Sequence, residues 1–122
     1  MNLRDFFEVE QIGRTIILVM MSNSREYVYD PDLNKKLVAE AIELLSGTRA
    51  EKIVIDLREV RYCNSYFLGL LAKLLKRVRE AGGRMAFCNV SEHIHRVMIA
   101  LNLHKVWAIC DSRADALAED DK

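Results

Sequence analysis

Few residue types in this chain could do chemistry, and several of them gather in one stretch, Asp56 to Leu68. Cys63 and Ser65 are nucleophiles by type, and His93 and His95 are candidate bases further along. Nucleophilic catalysis needs a base and an orienting group within hydrogen-bond reach of the nucleophile. Cys63 closes an apolar-flanked loop, where a cysteine more simply behaves as a small buried hydrophobe. A thiol or serine hydrolase using Cys63 or Ser65 is therefore the enzyme alternative, and the main reading is that the chain is not an enzyme. His93 and His95 stand two apart on an expected helix, so they point in different directions and cannot chelate one metal as an i, i+4 pair would. Both should face solvent. His104 and Lys105 should serve the negative end of the preceding helix.

Cofactor chemistry finds no support. No strand-to-helix junction carries GxGxxG or GxxxxGK[ST], the loops whose backbone cradles phosphates. Gly82-Gly83 follows a helix, where a C-cap accounts for it. Cys63, Cys88 and Cys110 are odd in number and lack CxxC spacing, which argues against a disulfide framework or a zinc site and for a reducing, cytoplasmic setting. Asp56 ends an apolar run, and a carboxylate there is costly unless N–H donors or a cation meet it. It is expected to bond its own following turn and so shape the loop before Asn64, Ser65 and Tyr66, where the first turn of a helix could hold an anion.

The elements that must position these residues follow from periodicity. The 122 residues, 51% hydrophobic and 30% charged, suit one compact domain over the whole length, since domains typically run ~100–150 residues. Lys+Arg and Asp+Glu balance at 18 each, so no global field draws the chain to nucleic acid or an anionic membrane. The longest apolar stretch, Ile16 to Met21, is far too short to span a bilayer, and the start MNLRDFFEVE has no signal-peptide pattern.

Alternation of Phe7, Val9 and Gln11 with Phe6, Glu8 and Glu10 predicts a strand, and Gly13-Arg14 a type II′ hairpin turn into a second strand, Thr15 to Met21. The polar run 22–30 reads as a loop. Asp30-Pro31-Asp32 opens a helix whose Leu33, Leu37, Ala41, Leu44 and Leu45 share a face, closed by Gly47. Lys52 to Leu57 is apolar enough to be a strand buried on both sides. Asn64 or Ser65 then caps a helix with the inward stripe Phe67, Leu70, Leu71, Leu74 and Val78, with Lys73, Lys76, Arg77 and Arg79 opposite it or near its end. That basic face reads as an ordinary solvated one. A strand over 84–90 follows, then a helix capped by Ser91 with Ile94, Val97, Met98 and Leu101 inward. A strand over 106–110 and a short helix opened by Ser112 to Asp115 complete the chain, with the tail 118–122 frayed. Strands alternating with helices imply an α/β fold: a mixed, mostly parallel sheet with an N-terminal β-hairpin and about four helices. Ligands and partners of such sheets meet the loops at the strands' carboxyl ends, so the segment from Arg58 to Tyr66 is the place to look.

Ile55-Asp56-Leu57, Ser65, Leu68, Gly82-Gly83, Leu101-Asn102-Leu103 and Asp111-Ser112 occur in the order and register of the STAS domain, which the chain resembles over nearly its full length. That module is shared by bacterial anti-sigma factor antagonists and the cytoplasmic tails of sulfate transporters. The resemblance implies a single STAS-like domain acting as a non-enzymatic regulatory protein-binding module, an anti-anti-sigma factor in the regulation of transcription. An accessory cytoplasmic subunit of a membrane transporter is the alternative. The implied partner is an anti-sigma factor or serine kinase of histidine-kinase-like fold, without nucleic acid, cofactor, metal or direct membrane insertion, and the oligomeric state is left open.

In the antagonists the second hydroxyl of a motif like Asp-Ser-Ser/Thr-Gly-Leu is phosphorylated, and the phosphate places close to two negative charges in a desolvated interface. Here Asn64 stands at the aspartate, Tyr66 at the phosphoacceptor and Phe67 at the glycine; Ser65, the first hydroxyl, is retained. The resemblance therefore places the partner-binding region at Asp56, Cys63, Asn64, Ser65, Tyr66, Phe67 and Leu68, with the usual switch lost or altered. Tyr66 either packs or anchors a partner; Phe67 belongs to the inward stripe.

Overall fold

The computed structural model describes residues 2–21, 31–62 and 65–118. The expected loop 22–30 with its cap Asp30, the residues Cys63 and Asn64, and the tail beyond Ala118 lie outside the described residues. A short 3-10 turn, Leu3–Asp5, leads into β1 (Phe7–Ile12) and β2 (Thr15–Met20), an antiparallel hairpin. Gly13 has φ +58° and Arg14 is not among the positive-φ residues, the sign pattern that a type II′ turn requires of its two central residues.

The chain continues through α1 (Pro31–Gly47), β3 (Lys52–Asp56), α2 (Ser65–Glu80), β4 (Arg84–Cys88), α3 (Glu92–Ala100), β5 (Ala108–Cys110) and α4 (Arg113–Ala118). The sheet order is β1-β2-β3-β4-β5, with every pair after the hairpin parallel. Three successive parallel connections stepping in one direction, each right-handed, place α1, α2 and α3 on the same face.

Pleating divides the side chains between two cores. Ile16, Leu18, Ile53, Ile55, Met85 and Phe87 meet the α1–α3 layer, including Leu37, Leu45, Leu71, Leu74, Ile94 and Met98. The alternate residues Ile17, Val19, Val54, Ala86 and Cys88 form a smaller core with Ala116 of α4. That short helix is latched at its end by Lys52, buried on β3, whose Nζ donates to the Ala116 carbonyl oxygen. Small residues on β4 and β5 let α4 lie close to the sheet.

Several boundaries differ from the pattern-based expectation. Arg49, not Gly47, takes the left-handed conformation after α1, with φ +58°, and Ala50 N–H reaches back to the Leu45 carbonyl, a six-to-one capping bond. α3 ends at Ala100, so Leu101 is 57% exposed instead of sharing the inward face; the chain leaves the helix through Asn102 at φ +61°. The last strand begins at Ala108, not Val106, because Val106 and Trp107 close a second 3-10 turn, Leu103–Lys105. Trp107 stacks on Phe87 with ring centroids 4.9 Å apart. Similarly β4 stops at Cys88, since Asn89 turns the backbone to φ +54°. Phe6 is buried along with Phe7, against the expected alternation, because it caps the 3-10 turn ahead of the strand.

Candidate functional site

The carboxyl ends of β3 and β4 meet the starts of α2 and α3, and Asp56 organises the junction. Its side chain is fully buried. Oδ1 accepts the Arg58 backbone N–H at 3.0 Å and Asn89 Nδ2 at 3.1 Å, so the expected bond to its own turn forms and a second strand end joins it. Oδ2 faces Arg113 Nη2 at 3.4 Å and Arg58 Nη1 at 3.7 Å. Arg113 comes from α4 and also holds Glu10 of β1 through Nη1 at 2.6 Å. Burial works against its charge, but Glu10 and Asp56 outweigh that and raise the guanidinium's pKa above its ordinary value. A buried carboxylate thus has the donors and the cation that its desolvation demands.

From Asp56 the loop runs outward in fixed steps. Leu57 N–H donates to the Cys88 carbonyl at 3.0 Å, and Val60 N–H closes a turn on Leu57 at 3.0 Å. Leu57 and Val60 are buried, while Arg58, Glu59, Arg61 and Tyr62 are exposed. Ser91 joins the loop to α3: its hydroxyl accepts the Ile94 N–H at 3.2 Å as the expected cap and donates to the Arg61 carbonyl at 2.7 Å. Beside it Tyr62 meets His93 edge to face, with centroids 5.0 Å apart.

α2 begins at Ser65. Ser65 and Tyr66 are exposed, Tyr66 at 55%, while Phe67 and Leu68 are buried at 2% and 7%. Helical spacing explains the split, because Phe67, Leu70, Leu71 and Leu74 fall on one side and Tyr66 falls outside that stripe. Of the residues expected at the site, the structure therefore brings Asp56, Phe67 and Leu68 into the support beneath the surface and leaves Ser65 and Tyr66 on it. Asn89, Ser91, Tyr62, His93 and Arg113 complete the arrangement. From the sequence Ser91 and Arg113 read as helix-start residues and His93 as a candidate base or a solvated histidine; the Tyr62–His93 contact joins two elements and has no local spacing that would show it.

Among the described residues neither Ser65 nor Cys88 resembles a primed nucleophile. Ser65 hydrogen-bonds to neither His93 nor His95 among the described residues, and both histidines are exposed as expected. Cys88, beneath the site, has its thiol pushed up to about 11 by burial and by the neighbouring Asp56, opposite to the lowered pKa of a reactive cysteine. Among the described residues no group of His, Cys, Asp and Glu side chains could hold a metal ion, and no helix is long and apolar enough to cross a membrane.

Residues 7–116 match the model of the STAS domain, and the chain belongs to that family. It is 29% identical over 119 residues to the anti-sigma F factor antagonist of Paenibacillus polymyxa, covering 98% of this chain and 96% of the relative. Identity is 30% over 103 residues to a TM1081 homologue of Thermotoga neapolitana, covering 84% of this chain and 88% of that one. The fold likewise superposes on the anti-sigma-factor antagonist (STAS) domain protein of Planctomyces limnophilus with a TM-score of 0.71, at 20% identity and 97% coverage of both chains. The fold class read from the sequence, a single α/β STAS-like domain with a five-stranded mixed sheet, is thereby established.

Proposed function

We propose that this chain is a non-enzymatic regulatory binding module of the anti-sigma factor antagonist type, which docks a protein partner on the face made by loop 57–62, the start of α2 and the first turn of α3. The observation that carries this reading is the exposure of two large rings there. Phe6, Phe7, Phe67, Phe87 and Trp107 are all buried, whereas Tyr62 and Tyr66 are 57% and 55% exposed. An aromatic side chain held on a rigid support is the usual anchor of an interface, supplying area at low entropic cost. The support is rigid because Asp56 and Ser91 tie the loop to three elements.

The partner class is an anti-sigma factor or a serine kinase of histidine-kinase-like fold, and the usual phosphate switch is lost or altered. Ser65 is the hydroxyl that stands at this face, at the first position of a helix, where a phosphate would suit the helix itself. It would nonetheless place a dianion among the docking residues. The test is a pull-down from native lysate followed by incubation of the recovered partner with ATP. A histidine-kinase-like ATPase retained by this chain and released by Tyr66→Ala supports the reading. A transporter ATPase instead would overturn the sigma-pathway assignment, and stoichiometric phosphate on Ser65 or Tyr66 that releases the partner would show that the switch is altered and not lost.

A further inference from the structure

A second surface lies away from this face, along the groove between α1 and α2. It is a depression of about 250 Å³ lined by Lys35 and Val38 of α1 and by Lys73, Lys76, Arg77 and Glu80 of α2. The α2 residues occupy positions i, i+3, i+4 and i+7, one continuous face of the helix. The described residues include several ion-paired arginines: Arg14 with Glu51, Arg96 with Glu92, and Arg113 with Glu10 and Asp56. The side chains of Lys35, Lys73, Lys76 and Arg77 have no ion-pair or hydrogen-bond partner among the described residues. A chain whose charges balance at 18 and 18 thus concentrates four unpaired cations, against the single carboxylate of Glu80, around one groove with the buried Val38 in its wall.

Like charges so placed repel one another in the free protein, and a complementary anionic surface relieves that repulsion as it binds. We propose that this groove docks an acidic amphipathic helix of a protein partner, with carboxylates against Lys35, Lys73, Lys76 and Arg77 and apolar side chains toward Val38. The spacing favours such a helix. Lys73, Lys76 and Arg77 stand within one turn, matching carboxylates three and four residues apart on the incoming helix. A nucleic acid fits poorly, since the charged stretch from Lys73 to Glu80 is only roughly 10 Å long and ends in a carboxylate. Among the described residues that line the groove there is also no aromatic side chain on which a base could stack. This surface does not depend on the Tyr66 docking face, and its test keeps the two apart.

The experiment is titration of the isotopically labelled full chain with a synthetic acidic amphipathic helix of about 14 residues, roughly four turns, followed by amide and side-chain NMR shifts. Inorganic phosphate and a short DNA duplex serve as comparison probes. Saturable shifts at Lys35, Val38, Lys73, Lys76 and Arg77 are expected, with affinity falling about tenfold when salt rises from about 50 to about 300 mM. The double variant K76E/R77E, at exposed positions that leave the fold intact, should weaken binding by at least about tenfold, and Y66A should leave it unchanged. Replacing the peptide's apolar side chains with glutamine should also weaken it. Absence of saturable shifts, equal binding by K76E/R77E, or tighter binding of the duplex or of phosphate than of the peptide would each overturn the proposal. Loss of binding in Y66A would show that the peptide uses the other face and would equally overturn it.

Discussion

Tyr66 and Asp56 stand ten residues apart and act in opposite ways, one offering a ring to solvent and the other a charge that solvent never reaches. Replacing Tyr66 with alanine removes exposed area and should leave the melting temperature unchanged while weakening partner binding by more than ~1 kcal/mol, the mark of an interface anchor. A fall in melting temperature without a specific loss of binding would instead make Tyr66 a packing residue. Asp56→Ala should do the reverse and cost about 3 kcal/mol of stability, because the partly buried Arg113 loses a partner and the Arg58 and Asn89 donors lose theirs. Urea unfolding measures the cost, and faster hydrogen exchange at the Arg58 amide should accompany it. Cys88 gives a pH test with a definite sign. Burial and the neighbouring Asp56 push its thiol up from the ordinary 9.0 to about 11, so the folded state holds the proton more tightly than the unfolded chain. This contribution is whole below pH 9 and is lost as pH rises through about 11. Stability of the native chain should therefore fall more steeply over that range than stability of Cys88→Ala, as followed by chemical denaturation.

The elements depend on how their ends are made. α2 and α1 approach closely at Gly83, where an added Cβ would sit 3.0 Å from Leu45 Cδ2, 3.1 Å from Val78 Cγ1 and 3.3 Å from the Val78 carbonyl oxygen. Gly83→Ala should cost about 1–3 kcal/mol by overpacking, read from a shift in the urea midpoint at constant slope. Leu101 offers the contrasting case. Its helical spacing suggests the inward face, but at the end of α3 it is exposed, so Leu101→Asn should change stability by no more than about 0.5 kcal/mol. If Leu101 were part of the core, the loss would be several times larger.

For the molecule as a whole, the sheet needs covering on both faces, and the second cover is the six-residue α4. It closes the smaller core over Ile17, Val19, Val54 and Ala86, accepts the Lys52 ammonium and supplies Arg113 to Asp56. Ending the chain at Asp111 should therefore lower the melting temperature by at least ~10 °C, since each kcal/mol lost is worth several degrees at this size. It should also loosen loop 57–62, visible in hydrogen exchange, although that loop is far from α4 in sequence.

What the sequence by itself determined is what depends on short spacings. The α/β alternation, the hairpin at Gly13-Arg14, the inward stripe of α2 with Phe67 inside, and the Ser91 cap each arise from neighbours a few residues apart, whose geometry is local; the exposure of Tyr66 was decided by the fold. The family resemblance rested on motifs of the same kind. Left to the tertiary structure were the points at which several elements compete for one place. Leu101 satisfies a helical period but stands at the exposed end of α3, just before the turn at Asn102, and Val106 and Trp107 have strand-like types but close a 3-10 turn in which Trp107 stacks on Phe87. The support of the candidate site was hidden for the same reason. Asp56 gathers donors from Asn89 and Arg113, 33 and 57 residues away, and no periodicity records a bond between groups that only the folded sheet brings together. The groove of unpaired cations belongs to this second kind too: on α2 alone its charges are an ordinary solvated face, and only the packing of α1 beside them, with Lys35 and Val38, makes them a site.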